Sequence, residues 1–182
     1  MFTIGHSTLP IDVFSKILKD NDVQWLVDIR TIPKSRHNPQ FASENLEKSL
    51  KAAGLHYRWQ KSLGGLRHPL KDSINTGWRN SSFRGYADYM QAPEFAVAID
   101  ELLAASPHPQ TAVMCAEAVP WRCHRSLVAD TLLVRGVGVE DIYYDAKGKS
   151  RREPHSLTSF ARVNGDHLWY PSGDELFAGL EE

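Results

Sequence analysis

The densest run of reactive side chains is Cys115-Ala116-Glu117-Ala118-Val119-Pro120-Trp121-Arg122-Cys123-His124-Arg125. A β-prone Thr111-Ala112-Val113-Met114 precedes it, and Leu127, Val128, Leu132 and Leu133 follow at helical spacing, so the run joins a strand to a helix. A thiol at a helix start is acidified by the helix dipole and by neighbouring cations, which makes Cys123 or Cys115 a candidate nucleophile or redox centre. Glu117 is the candidate acid/base. His124, Arg125 and the free N–H groups of the first helical turn suit a phosphate or carboxylate.

Two other chemistries fit the run less well. The separation of Cys115 from Arg122 is one residue too long for a cysteine-phosphatase loop, and Glu117 and Pro120 stand where an anion cradle needs glycines and free N–H groups. A metal set drawn from Cys115, Glu117, Cys123 and His124 follows no zinc spacing template, and the adjacent Cys123 and His124 are expected to be badly placed to hold one ion together. The inert alternative is that both cysteines are small buried residues.

Two further groups follow short β-prone runs. His6 comes after Phe2-Thr3-Ile4-Gly5, as a candidate base or phosphate ligand, and Asp28 with Arg30 closes Gln24-Trp25-Leu26-Val27. Their structural alternatives are a hydrogen-bonded turn histidine and a salt bridge from Asp28 to Arg30 or Arg36. The polar loop from Thr31 to Phe41 adds Lys34, Ser35, Arg36, His37 and Asn38, a mixture suited to phosphate contact. Residues 62–82 lack any helical or strand period, and loops this long tend to carry function. They bring Arg67, His68, Lys71, Trp78 and Arg79, with Arg84, Tyr86 and Tyr89 just beyond. Cations interleaved with aromatics can hold a nucleic-acid backbone and stack its bases, whereas Phe83, Tyr86 and Tyr89 at helical spacing equally fit a core.

The elements that must position these groups alternate. Strands are expected at 2–4, 24–29, 55–59, 111–115 and 139–144. Helices are expected after Thr8, which would cap the first, from Ser43 to Ala53, from Phe83 to Met90, from Pro93 to Leu103 and from His124 to Arg135. That order predicts an α/β fold, a three-layer Rossmann-like arrangement with a mainly parallel sheet of about five strands and helices on both faces. Residues 1–145 form the domain. Residues 146–182 are a C-terminal extension packed on it, opening with an exposed loop or hinge at 146–153 and holding one short strand candidate at 167–170. In such sheets ligands bind beyond the carboxyl ends of the strands, where His6, Asp28, Arg30, Cys115 and Glu117 would share one rim.

Composition sets outer bounds. The 182 residues are 42% hydrophobic and 24% charged, which excludes a disordered or collagen-like chain. No apolar run is long enough to span a bilayer, no signal peptide opens the chain, and two cysteines are too few for a secreted disulfide scaffold, so a cytoplasmic, reduced protein without membrane association is expected. The net charge of −1 hides an asymmetry. Arg30 to Arg84 carries eleven Lys/Arg against three acids, a net +8, leaving −9 elsewhere. A partner that is an anionic small molecule or a nucleic acid follows from one electropositive face.

The matches Thr3-Ile4-Gly5-His6-Ser7, Asp28-Ile29-Arg30, Ser35-Arg36, Asn38-Pro39, Leu63-Gly64-Gly65, Phe83, Gly85-Tyr86, Tyr89-Met90 and Cys115-Ala116-Glu117 … Pro120 … Cys123-His124-Arg125 run in order over residues 2–144. On them the chain resembles the bacterial and archaeal family called domain of unknown function 488. The resemblance implies one cytoplasmic Rossmann-like domain and supplies no activity. It marks His6, Asp28, Arg30, Arg36, Asn38, Arg84, Tyr86, Cys115, Glu117, Cys123, His124 and Arg125 as signature positions. The sequence therefore points first to an enzyme on an anionic nucleotide or nucleic-acid substrate: Glu117 as acid/base, Cys123 or Cys115 as thiol, His6 and Asp28 in proton handling, and Arg30, Arg36, Asn38, Arg84, Tyr86, His124 and Arg125 around the anion. A non-catalytic nucleic-acid or nucleotide binding module is the second reading. A metal-dependent enzyme using Cys115, Glu117 and His124 is the third. The first reading calls for no cofactor and no metal.

Overall fold

A computed structural model describes residues 1–105 and 110–173. Over these residues the elements are β1 (Phe2–Gly5), α1 (Ile11–Asp20), β2 (Trp25–Asp28), α2 (Ser43–Ala52), β3 (His56–Trp59), α3 (Ser81–Tyr89), α4 (Pro93–Ala105), β4 (Thr111–Cys115), α5 (Arg125–Val134), β5 (Glu140–Tyr144), β6 (Ser150–Pro154), β7 (Arg162–Asn164) and β8 (His167–Trp169). Six strands form one α/β sheet in the order β3-β2-β4-β1-β5-β6. Its first five are parallel, and β6 pairs antiparallel with β5. The small β7-β8 hairpin stands apart.

The side-chain period of a strand explains how the sheet is covered. Along β4, Ala112 and Met114 join Phe2, Ile4 and Leu26 in a core closed by Phe14, Ile17 and Leu18 of α1 and Leu46 and Leu50 of α2. Val113 points the other way, with Val27, into a second core closed by α3, α4 and α5 through Tyr86, Ile99, Leu102, Leu127 and Leu132. Every residue of β1 and β4 is buried, as central parallel strands require. At the β3 edge, His56 and Trp59 are exposed.

Three local expectations are corrected. The expected loop at 146–153 is a turn followed by β6, so the sheet has six strands. Asp145 accepts hydrogen bonds from the N–H groups of Lys147 and Lys149, and Gly148 takes φ 78° to close the turn. The charged Ser-Arg-Arg-Glu-Pro pattern that looked like loop is what an exposed edge strand carries against further pairing. Thr8 does not cap the first helix; Pro10 occupies that cap position, without a side-chain cap bond, whereas α2 begins at Ser43 as expected. Helix α3 starts at Ser81, where the Asn80 side chain accepts from the N–H groups of Ser82 and Phe83.

The segment after β5 is fastened by buried polar groups. His155 lies between Asp141 of β5, 2.7 Å from Nδ1, and Asp130 of α5, 3.1 Å from Nε2. Asp130 also accepts from the hydroxyls of Thr158 and Tyr170. Burial opposes charge on His155, but hydrogen bonds and attraction from the two aspartates outweigh it and raise the pKa to about 9. Residues 174–182 of the expected extension lie outside the described residues.

Candidate functional site

The parallel register brings three strand ends to one level. Gly5 pairs with Cys115 and Asp28 with Met114, and the ladder runs on as His6 N–H donates to the Cys115 carbonyl at 3.0 Å and Ser7 N–H to that of Ala116 at 2.8 Å. The chain leaves β1, β2 and β4 around an open cavity of about 520 Å³. His6, Ser7 and Thr8 line it from the first loop, and Arg30, Thr31, Ile32, Lys34, Ser35 and Asn38 from the second. Gly65 and Leu66 come from the loop after β3, and Ala116, Glu117 and His124 from the segment after β4. Non-consecutive strands flanking one crevice are the usual setting for a ligand in an open parallel sheet.

Arg30 is the best-fixed cation in the wall. Asp28, fully buried, accepts from its Nε at 2.8 Å and Nη2 at 2.5 Å, and the Phe41 carbonyl accepts from Nη2 at 2.8 Å. Its Nη1 meets Nε2 of His6 at 3.1 Å. The His6 Nδ1 lies 2.8 Å from the Ser7 carbonyl, which can only accept, so Nδ1 carries the proton and the Nε2 lone pair faces the guanidinium. The ring also stacks on Phe41 at 4.0 Å. Burial, then the charge of Arg30, lowers the His6 pKa to about 4, which keeps the imidazole neutral. Ser7 holds a positive φ of 47° at this turn.

Around β4 and α5 the cysteines depart from expectation. Cys115 and Cys123 are joined in a disulfide, so neither is the free thiol the sequence suggested. Spacing alone could not show that the loop folds back to lay Cys123 beside the end of β4. His124 is not badly placed relative to Cys123 either. The extended backbone of Cys123 turns helical at His124, leaving Sγ and Nδ1 3.6 Å apart. The His124 Nε2 lies 3.1 Å from the Ile29 carbonyl and therefore donates to it. Burial outweighs that bond and lowers the His124 pKa to about 4. Glu117 is exposed at the rim.

The cavity unites His6, Arg30, Asn38, Glu117 and His124, residues from three chain segments. Arg36 lines a neighbouring depression that shares Lys34 and Ser35 with it. The rest serve the frame. Asp28 lies behind Arg30. Arg125, 1% exposed, donates to the carbonyls of Glu117 and Ala118 and to the Thr3 hydroxyl, holding the loop instead of lining the cavity. Arg84 donates to the Trp78 carbonyl, and Tyr86 is buried with its hydroxyl on the Leu63 carbonyl. Arg67 lies 3.5 Å over the Tyr89 ring and donates to the carbonyls of Gly64 and Ser62. Trp78 stacks with Phe83 and meets Phe160 and Tyr170 edge-on. The base-stacking surface expected of the long loop is thus largely internal structure.

Sequence reasoning missed Thr8, Thr31, Ile32, Leu66 and the packing role of Gly65. A Cβ on Gly65 would stand 2.4 Å from the His124 ring. The Gly64-Gly65 pair was the visible signal for that approach.

A family model described as domain of unknown function DUF488 matches residues 10–132, and the chain belongs to that family. No curated protein and no solved structure matches the chain.

Proposed function

We propose that this family member is an enzyme acting on an anionic nucleotide or nucleic-acid substrate, held in the cavity at the carboxyl ends of β1, β2 and β4. Arg30 and Lys34 neutralise the anion, the Asn38 amide and the Ser35 and Thr8 hydroxyls orient it, and Glu117 moves the proton. The observation that carries the reading is the pairing of a pre-oriented guanidinium with an exposed carboxylate across one polar cavity. The reading takes the sheet and its two packed faces as a three-layer Rossmann-like arrangement and the cytoplasm as the setting. There the thiol pool favours reduced cysteines, so the dithiol form of Cys115 and Cys123 also matters.

One observation favours a binding module instead. The His6 lone pair faces Arg30, the His124 ring is held by Ile29, and both sulfurs are bonded, which leaves Glu117 as the one exposed acid/base group among the expected catalytic set. Titration with inorganic phosphate, a nucleoside monophosphate and a short single-stranded oligonucleotide, at two salt concentrations, separates the two readings. Turnover lost in Glu117→Gln with binding retained supports the enzyme. Binding that falls steeply with salt, insensitive to Glu117→Gln and without turnover, supports the module. No saturable binding of any of the three ligands removes both.

A further inference from the structure

The sulfurs of Cys115 and Cys123 and a ring nitrogen of His124 lie within 4.8 Å of one another. Three properties of this cluster go beyond a disulfide with a histidine nearby. First, the imidazole is oriented: Nε2 donates to the Ile29 carbonyl at 3.1 Å, which leaves the Nδ1 lone pair directed at the Cys123 sulfur 3.6 Å away. A histidine whose second nitrogen is tied to a backbone carbonyl has the outer-shell support found behind metal-bound imidazoles. Second, both cysteines are buried, Cys115 at 6% exposure and Cys123 at 3%, whereas His124 reaches the cavity wall. Third, Cys123 lies two residues ahead of α5, with His124 at the cap between them, so both donors come from the turn that enters the helix and Cys115 from the end of β4.

We propose that Cys115, Cys123 and His124 form a redox-gated site for a zinc-class divalent cation. Two thiolates and one imidazole suit a borderline-soft ion of tetrahedral preference, with the fourth position left to water. The sulfurs cannot both bond each other and ligate, so the disulfide is the closed form. Opening it takes two equivalents of a monothiol of the glutathione class: the protein S–S bond breaks, one new S–S bond forms between the two reductant sulfurs, and the protons move to Cys115 and Cys123. Binding then displaces those two protons to solvent, and the two thiolates neutralise the ion's charge. In either form the link ties the end of β4 to the start of α5, and so braces the loop that carries Glu117. The inference is independent of the proposed anion site, because anion binding to the oxidised protein tests that reading alone.

The test uses the full chain in two states, as the disulfide and after reduction with a phosphine, which does not compete as a dithiol would. Each is titrated with Zn²⁺ alone and with Co²⁺ as a spectroscopic probe, and circular dichroism follows the fold. The expected result is one Zn²⁺ per reduced chain with release of two protons, thiolate-to-cobalt charge-transfer bands, and protection of both cysteines from alkylation. The disulfide form should take up no stoichiometric metal. Cys115→Ser/Cys123→Ser, which cannot form the disulfide, should lose the cobalt bands. Equal binding by the disulfide form, charge-transfer bands that survive in the double variant, or a reduced chain that neither binds Zn²⁺ nor is refolded by it would each overturn the proposal.

Discussion

Nη1 of Arg30 lies 3.1 Å from Nε2 of His6, and each partner is fixed from behind, the guanidinium by Asp28 and the imidazole by the Ser7 carbonyl and the Phe41 ring. This makes His6 a positioning residue for a cation. Because Asp28 is wholly buried, removing Arg30 leaves an unpaired carboxylate in the interior, held only by Tyr57 and a backbone N–H. Arg30→Ala should therefore cost about 3–5 kcal/mol of stability. His6→Ala, which removes two hydrogen bonds and one ring stack, should cost about 1–3 kcal/mol. Denaturant unfolding of both variants measures the order, and a larger loss in His6→Ala would contradict the Asp28–Arg30–His6 relay.

Three buried or half-buried histidines set opposite limits on stability against pH, His6 and His124 on the acid side and His155 on the alkaline side. His6 has its folded pKa lowered to about 4. The unfolded chain takes up that proton near pH 6.5 and the folded chain only near 4, so stability falls as pH drops through this window. His155 has its folded pKa raised to about 9. Its contribution is full below about pH 6.5 and is lost as pH rises towards 9, because the folded chain keeps a proton the unfolded chain has released. Each of these groups contributes a slope of about 1.4 kcal/mol per pH unit, and His124, whose folded pKa is likewise lowered to about 4, adds a second such contribution to the acid limb. Unfolding free energies from pH 4 to 9 should show the acid limb reduced to about half its slope in His6→Asn, with His124 supplying the rest, and the alkaline limb flattened in His155→Gln. Unchanged slopes would place those histidines in environments other than the ones described.

The loop that presents Glu117 stands on Arg125, whose guanidinium donates to the carbonyls of Glu117 and Ala118. From sequence, Arg125→Ala is expected to remove anion binding and spare the fold. The structure reverses that expectation, since the side chain is enclosed and its donors are spent on the carbonyls of Glu117 and Ala118 and on the buried Thr3 hydroxyl. Arg125→Ala should cost about 3 kcal/mol or more through orphaned carbonyls and a cavity, while Glu117→Gln should stay within about 0.5 kcal/mol of the parent. Thermal or denaturant melts of the pair measure the contrast, and equal losses would show that Glu117 is structural as well.

How far the sequence carried can be read from particular residues. The placement of β1, β2 and β4 was legible because each is a short apolar run ended by a polar or glycine residue, and that put His6, Arg30 and Glu117 on one rim. Arg125 could not be separated from Arg30 by type or spacing: one backs a loop and one faces a cavity, a difference set by packing. Asp130, Asp141 and His155 gave no signal, since a charged residue in a helix or strand reads as exposed until a distant partner is known. The same limit hid the disulfide, whose partners are 8 residues apart along a loop of undetermined path. Asp88 was equally silent. It accepts from Leu70 N–H, the Ser73 hydroxyl and the Asn75 amide, and so organises the long loop from a position that looked like helix surface.

Gly5 fixes how closely the Glu117 loop can approach β1. A Cβ at this position would stand 1.6 Å from the Glu117 carbonyl oxygen and 3.0 Å from an Arg125 guanidinium nitrogen, and the first of these is backbone that cannot rotate away. The Gly5 backbone itself is held, since its strand pairs with β4 at Cys115 and its carbonyl accepts from the Tyr144 hydroxyl. The added methyl must therefore displace residues 116–118, breaking the Ser7 N–H to Ala116 carbonyl bond at 2.8 Å and at least one Arg125 bond. Gly5→Ala should cost about 1–3 kcal/mol by overpacking alone, and about 1 kcal/mol more for each hydrogen bond lost. Phosphate binding should weaken in the same variant, because Glu117 and Ala116 move relative to Arg30. Denaturant melts and a phosphate titration measure the two effects. A variant with parental stability would mean that the loop stands off β1 in solution and that Arg125 does not pin it there.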